Sequence, residues 1–251
     1  MSIIEPINLG TGFKKYFNIC AATTDALLGD VFHIRHEVYC ENLKFEALRP
    51  DRRETDHYDA HSVHCLLRKV DEPFDSVGCT RLVLTNPEQP EELLPFEKTC
   101  GALLDRSIVD PSRLARGRIA EISRLAVRGQ YRRRKGEEHE QAPINSSDFS
   151  TGAQPRFPYI PTSLLLGAVA LAERQQIETV FVLTEPRLAA HFAKLGVEVI
   201  QIGAPISHRG TRIPSMMRTE EIIRNMRSLL LPLWRVVREE IGKSFDEQAK
   251  T

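Results

Sequence analysis

RIAEISRLAV, residues 118–127, is a run of aliphatic residues with Glu121, Ser123 and Arg124 set among them. Its make-up predicts a strand with both faces covered. An ionised side chain in such a strand is costly unless it is paired. Strand alternation puts Glu121 and Ser123 on one face and Ile122 and Arg124 on the other. Glu121 and Arg124 therefore converge only if the strand bulges between them.

Upstream, SVHCLLRKV (62–70) and SVGCTRLVL (76–84) read as two strands joined by DEPFD, and Arg81 is again a charge within a buried-type run. Residues 85–117 hold Pro87, Pro90, Pro95 and Pro111 and read as a connection, with a short helix near 93–100. YFNICAA (16–22) reads as a strand. Thr23-Thr24-Asp25 offers caps for a helix reaching residue 41. Leu27, Leu28, Val31, Phe32 and Tyr39 follow helical spacing there, and Arg35 interrupts their apolar face. Residues 46–61 form a polar loop holding Asp56 and Asp59.

Downstream, residues 136–158 are polar and rich in Ser, Gly and Pro, which predicts a mobile loop or insertion. Thr162 or Ser163 caps a helix whose apolar face runs Leu164, Leu165, Ala168, Leu171, Ala172; a strand follows at 179–183. Pro186 opens a helix closed by Gly196, and 197–203 reads as another strand. From 219 to about 241 a long helix is expected, kinked or divided by Pro232. This order predicts an α/β fold with a mixed sheet and helices on both sides.

The bulk composition narrows the class. With 251 residues, 41% hydrophobic and 27% charged, a packed core is expected. Lys+Arg 34 balances Asp+Glu 34, against bulk nucleic-acid binding, although residues 113–135 concentrate arginines. No apolar run approaches the ~20 residues of a membrane span. The first residues lack a signal-peptide pattern, so a cytoplasmic protein is expected. Cys20, Cys40, Cys65, Cys79 and Cys100 form no CxxC pair and read as reduced thiols, not as a disulfide framework or zinc site. His33, His36, His57, His61 and His64 match no compact ligand spacing, so no metal is expected. Taken alone, the misplaced charges Arg35, Asp56, Asp59, Arg81, Glu121 and Arg124 leave two readings open: a structural ion-pair network, or a site.

Five segments carry a resemblance: FHIRHEVY with Arg35; Phe45-Glu46; Glu54-x-Asp56-x-x-Asp59; Gly78-x-x-Arg81-Leu82; and Glu121-x-Ser123-Arg124-Leu-Ala-Val127. In this order they resemble the acyl-homoserine-lactone (autoinducer) synthases and the related N-acyl amino acid synthases, over roughly residues 13–218. VYCENLKFE is similar to the exosortase-associated (PEP-CTERM) acyltransferases of bacteria. The resemblance implies a GNAT-like fold: a mixed, mostly antiparallel central sheet with a V-shaped splay and helices on both faces. It implies an acyltransferase domain over 1–218, carrying a mobile insertion at 137–158, and a C-terminal helical extension over 219–251. One departure matters. Where acetyl-CoA-using GNAT enzymes carry Q/R-x-x-G-x-G/A, this chain reads Arg128-Gly-Gln-Tyr-Arg-Arg-Arg-Lys-Gly136, a degenerate phosphate loop.

The function implied is transfer of a fatty acyl group, expected to be long-chain, from acyl carrier protein or acyl-CoA to the amine of an amino acid or similar small amine. The thioester is a co-substrate, and no permanently bound cofactor, nucleic acid or membrane insertion is implied. Glu121, Ser123 and Arg124 are the implied catalytic group, with Glu121 as general base and Arg124 holding Glu121 or the acceptor carboxylate. Arg35, Phe45, Asp56, Asp59 and Arg81 would bind the acceptor. Val127, Arg128, Arg132, Arg133, Arg134 and Lys135 would meet the acyl donor, and Leu164, Phe181 and Leu183 its tail. The alternatives are an ordinary acetyl-CoA-dependent N-acetyltransferase and a non-catalytic acyl-thioester-binding domain.

Overall fold

The computed structural model describes residues 8–71, 75–132 and 159–249. The insertion expected at 137–158 lies outside them, as do Arg133, Arg134 and Lys135. In chain order the elements are α1 (Leu9–Lys14), β1 (Phe17–Ala21), α2 (Asp25–Arg35), β2 (Ser62–Lys69), β3 (Ser76–Leu84), α3 (Pro95–Cys100), β4 (Ile119–Val127), α4 (Gly129–Arg132), α5 (Tyr159–Arg174), β5 (Thr179–Thr184), α6 (Pro186–Lys194), β6 (Ile200–Gln201), β7 (Ile206–Ser207), β8 (Thr211–Arg218), α7 (Thr219–Arg224) and α8 (Leu231–Gln248).

Among the described residues the strands form one sheet in the order β1-β2-β3-β4-β5-β8-β6, with β7 paired to β8. Every pairing is antiparallel except β4 with β5. That parallel contact is short: Ile119, Ala120 and Glu121 face Thr179, Val180 and Phe181, and among the described residues the two strands pair no further. Both strands continue, β4 to Val127 and β5 to Thr184, so the sheet splits into a V whose crotch is at Glu121.

The bulge that strand parity demands lies in β4. Its register against β3 passes from Arg81 opposite Ser123 to Cys79 opposite Ala126. Arg124 adopts a left-handed φ of 51° there. The packing shows the result. Before the bulge, Ala120 and Ile122 join the core on the α5 face; after it Ala126 joins the α2 face and Val127 the α5 face. The extra residue has inverted the alternation.

Helices cover both faces. Thr24 caps α2 through its side chain, and the turns after Arg35 widen into a π-helix over His36–Asn42. On the opposite face α5 is buried nearly all round, from Pro161 to Ala172. The helix is already formed at Tyr159, so Thr162 and Ser163 lie inside it and do not cap it. The Ser163 hydroxyl instead donates back to the Tyr159 carbonyl at 2.6 Å. α5 approaches the sheet closely at Gly167, where an added Cβ would stand 2.8 Å from Cys65 Sγ and 2.9 Å from Ile19 Cδ1. Gly167→Ala should cost about 1–3 kcal/mol by overpacking, lowering Tm by roughly 2–4 °C per kcal/mol. An unchanged melting curve would show that α5 can retreat freely.

Two sequence expectations shorten or divide. The strand read over 197–203 contracts to Ile200–Gln201, and the long tail helix splits, with Pro232 in the first turn of α8. Strand β8 escapes periodicity, because Pro214 interrupts it. Pro214 O accepts from the Ile202 amide at 2.9 Å, and Ile202 O, which can take no bond from the proline nitrogen, accepts from the Asp105 amide at 2.8 Å. Helix α8 packs back on the domain: Leu233, Trp234, Val237 and Ile241 share one core with α5. Its Glu240 carboxylate accepts from the Ile19 amide at 2.9 Å and Ser244 Oγ from the Ala21 amide at 3.2 Å, which covers the open edge of β1. Among the described residues no helix is long and apolar enough to cross a membrane.

Candidate active site

The V opens into a cavity of about 220 Å³. One part of its wall is apolar, with Leu165, Leu188, Phe192, Val199 and Met217. The other carries Glu121, Ser123, Arg124 and Arg81, with Arg132, His208, Arg209 and Arg212 toward the rim.

Glu121 stands at the crotch, 4% exposed, and its Oε2 accepts from the Phe96 amide at 2.6 Å. That amide is available because a helix's first turn leaves its N–H groups without intrahelical partners. Burial pushes the Glu121 carboxyl up to about 7; the Phe96 amide and the Arg81 and Arg124 guanidinium groups oppose this without reversing it. No guanidinium among the described residues pairs directly with Glu121, so the expectation that Arg124 holds it is corrected.

Arg124 is held elsewhere. The bulge turns it toward the α2 face, where Nη2 donates to Glu54 Oε1 at 2.9 Å and to Asp56 Oδ2 at 3.3 Å, over the Tyr39 ring. Arg81 donates to Ser123 Oγ at 3.1 Å through Nε, and to Asp56 and Asp59 at 2.7 and 2.8 Å through Nη1. Arg35, wholly enclosed, donates to Glu54 at 2.5 Å and to Asp59 at 2.6 Å. Three arginines are thereby crosslinked by Glu54, Asp56 and Asp59. Burial would raise Glu54, but Arg35 and Arg124 hold it down to about 2; Asp59 is likewise held well below the carboxylate range by Arg35 and Arg81 against its own burial.

This network bears on the acceptor-binding expectation. Phe45 and Arg81 reach the cavity wall, whereas Arg35, Asp56 and Asp59 do not. Arg35 has its donors filled from behind the wall, and the aspartates face arginines. In this arrangement the three belong to the network that holds Arg81 and Arg124 in place, with Arg35 and Asp59 buried and Asp56 partly exposed. Of the donor-side residues, Val127 and Arg132 line the cavity; Arg128 is turned away, bound by Glu37 at 2.8 Å and Asp75 at 2.7 Å. For the acyl tail, Leu183 lines the cavity, while Leu164 and Phe181 are fully buried in the cores on either side of the sheet.

Several wall residues escape the sequence reading. Glu54 is legible as part of a motif but not as the clamp between two arginines. His208, Arg209 and Arg212 come from the β7–β8 hairpin, whose sequence, SHRGTR, reads as an ordinary basic turn. Burial and the neighbouring Arg209 and Arg212 push His208 down from its ordinary value. The thiols are sequestered: burial pushes Cys79 up to about 12 and Cys65 well above its ordinary value. Among the described residues no three His, Cys, Asp or Glu side chains gather as a metal would require.

A family model described as an acetyltransferase (GNAT) domain matches residues 34–140. A sequence comparison with curated proteins returns no match. Among solved structures, TofI in a ternary complex with an inhibitor and MTA is 19% identical with a TM-score of 0.55, over 80% of this chain and 90% of that one. BjaI, described as a CoA-dependent acyl-homoserine lactone synthase with SAM and isopentyl-CoA, is 22% identical with a TM-score of 0.54, over 88% and 89%. FeeM, an N-acyl amino acid synthase from uncultured soil microbes, is 12% identical with a TM-score of 0.53, over 86% and 98%. Each of these likenesses is one of fold.

Proposed function

We propose that this chain, which carries the GNAT acyltransferase fold, moves a fatty acyl group from a pantetheine thioester to the amine of an amino acid or similar small molecule. The observation that carries the reading is the placement of Glu121: a buried carboxyl raised to about 7, at the point where β4 and β5 part, facing a cavity with an apolar half.

The geometry supports each step of a thioester aminolysis. Beyond Glu121, the edge of β4 that faces β5 has no strand partner among the described residues. Its backbone groups suit the two amides of an extended pantetheine arm, as an added strand would. The acyl tail lies among Leu165, Leu183, Leu188 and Phe192. The amine nitrogen attacks the thioester carbonyl, and Glu121 takes its proton, directly or through one water. Backbone amides near the bulge stabilise the oxyanion. On collapse the C–S bond breaks, an amide forms, and the departing sulfur takes a proton to leave as a thiol. Arg81 and Arg124, immobilised from behind by Glu54, Asp56 and Asp59, stand beside the reaction centre without needing to reorganise.

The acetyl-transfer alternative is disfavoured by the segment after β4. Arg128, which opens the degenerate glycine loop, is engaged by Glu37 and Asp75. A CoA pyrophosphate has less of a cradle there than the acetyl-CoA enzymes supply. Arg132 on the wall is suited to a phosphopantetheine phosphate, from carrier protein or from CoA.

The test is a donor series. Purified protein should release thiol from octanoyl- or palmitoyl-CoA, or the matching carrier-protein thioesters, faster than from acetyl-CoA when amino acids are present. Lipid extracts of cells producing it should contain N-acyl products by mass spectrometry. Preference for acetyl-CoA would establish the ordinary N-acetyltransferase, and binding of acyl thioester without turnover the non-catalytic domain.

A further inference from the structure

One carboxylate at the cavity is shared by arginines from the two arms of the V. Glu46 Oε1 accepts from Arg209 Nη2 and, at 3.5 Å, from Arg124 Nη2. Arg209 is at the tip of the β7–β8 hairpin, with a left-handed φ of 54° ahead of Gly210 at 95°, and its guanidinium lies 5.8 Å from the Phe45 ring centroid. Phe45 and Glu46 follow the π-helix that extends α2. The contacts thus strap one arm of the V to the other, across a cavity that Phe45, Arg124 and Arg209 all line.

Glu46 differs from Glu54 in its exposure and in what depends on it. Glu54 is 1% exposed and is the direct link between Arg35 and Arg124, so its departure would weaken the hold on both. Glu46 is 26% exposed, and its departure leaves Arg124 still held by Glu54 and Asp56. What its departure opens is a place for one carboxylate between two guanidinium groups. One of those groups belongs to the bulge in β4, on the same strand as Glu121.

We propose that the Glu46 carboxylate is an internal occupant of an anion subsite between Arg124 and Arg209, and that an acceptor bearing a carboxylate displaces it. Docked there, the acceptor presents its amine toward Glu121, and the strap from Arg209 to Glu46 is exchanged for one through the acceptor itself. Glu46 then sets acceptor affinity by competing for the subsite, as an occupied conformation taxes any ligand that must replace it. The inference rests on the aminolysis reading and adds no covalent step to it.

The experiment measures discrimination. Octanoyl-CoA is offered with the common amino acids and S-adenosylmethionine, and in parallel with amino-acid amides; products are quantified by mass spectrometry. The parent should prefer carboxylates over the matching amides by at least about tenfold in kcat/KM. Glu46→Gln should lower the KM of the preferred carboxylate acceptor by about threefold to thirtyfold, widening that preference. Arg209→Gln should raise it by about tenfold to a hundredfold, narrowing the preference. Equal use of carboxylates and amides, or a higher KM in Glu46→Gln, overturns the inference while the aminolysis reading stands. The absence of any acylated product from any acceptor sinks both. Should Glu46→Gln fail to fold, Arg209→Gln, on the hairpin tip, still decides the matter.

Discussion

Glu121→Gln is expected to fold, to lose about 10²–10⁴-fold in aminolysis rate, and to be more stable than its parent above neutral pH. The two effects share one cause. Burial favours the neutral carboxyl and lifts Glu121 from 4.5 to about 7. A carboxyl raised in this way contributes its stability fully below about pH 4.5 and loses it as pH rises through 7, where the folded protein must hold a charge it poorly solvates. At roughly 1.4 kcal/mol per pH unit the loss amounts to about 3 kcal/mol by pH 9. Glutamine keeps an oxygen for the Phe96 amide and never ionises, so it escapes that loss. Urea midpoints for parent and variant should nearly coincide at about pH 5 and separate at about pH 8 to 9, with the variant ahead. The parent's rate should rise with pH through about 7, and the variant's residual rate should lack that step. A variant that acylates at the parental rate, or is less stable at about pH 9, removes Glu121 from the role of base.

The largest loss of stability is expected from Glu54→Gln. The substitution preserves shape but removes the charge between Arg35 and Arg124, leaving two buried guanidinium groups short of a counter-charge. Breaking a buried pair from one side costs about 3–5 kcal/mol. Here the cost falls on two arginines at once, so the upper part of that range is expected. The pH dependence runs opposite to that of Glu121. Arg35 and Arg124 hold Glu54 down to about 2 from 4.5, so its contribution is present above pH 4.5 and is lost as pH falls through 2. The gap between parent and variant should therefore be widest near neutral pH and close in acid. The acylation rate should fall as well, because Arg124 loses its strongest anchor. A gap under about 1 kcal/mol at neutral pH would show that Asp59 and Asp56 suffice to hold the arginines.

Much of the site was legible because buried-type strands tolerate so few charges. Arg81, Glu121 and Arg124 stand out within apolar runs, and all three reach the cavity wall. The acidic loop signalled itself through Glu54, Asp56 and Asp59, but its direction did not: these carboxylates turn inward to the arginines and not toward a ligand. Arg128 misled for a similar reason. In sequence it opens an arginine-rich block; in the fold it is bound by Glu37 from the helical segment after α2 and Asp75 from just before β3, both distant along the chain. His208, Arg209 and Arg212 carried no signal, since nothing in a short basic turn reveals that β8 carries it to the mouth of the cleft.

The amino-acid sequence by itself determined most of the elements and their order along the chain, β8 excepted, because periodicity, caps and prolines act over a few residues and need no partner. It also marked which charges must find company, since the penalty for an unpaired buried charge is independent of the fold. Which charge meets which was left to tertiary structure. A bulge at Arg124 inverted the facing of β4, the parting of β4 from β5 opened the cavity, and the carboxylates of one loop were consumed by three arginines from three separate elements. Such pairings depend on distances of a few ångströms between residues far apart along the chain, 70 positions for Arg124 and Glu54, and only the packed chain sets those distances.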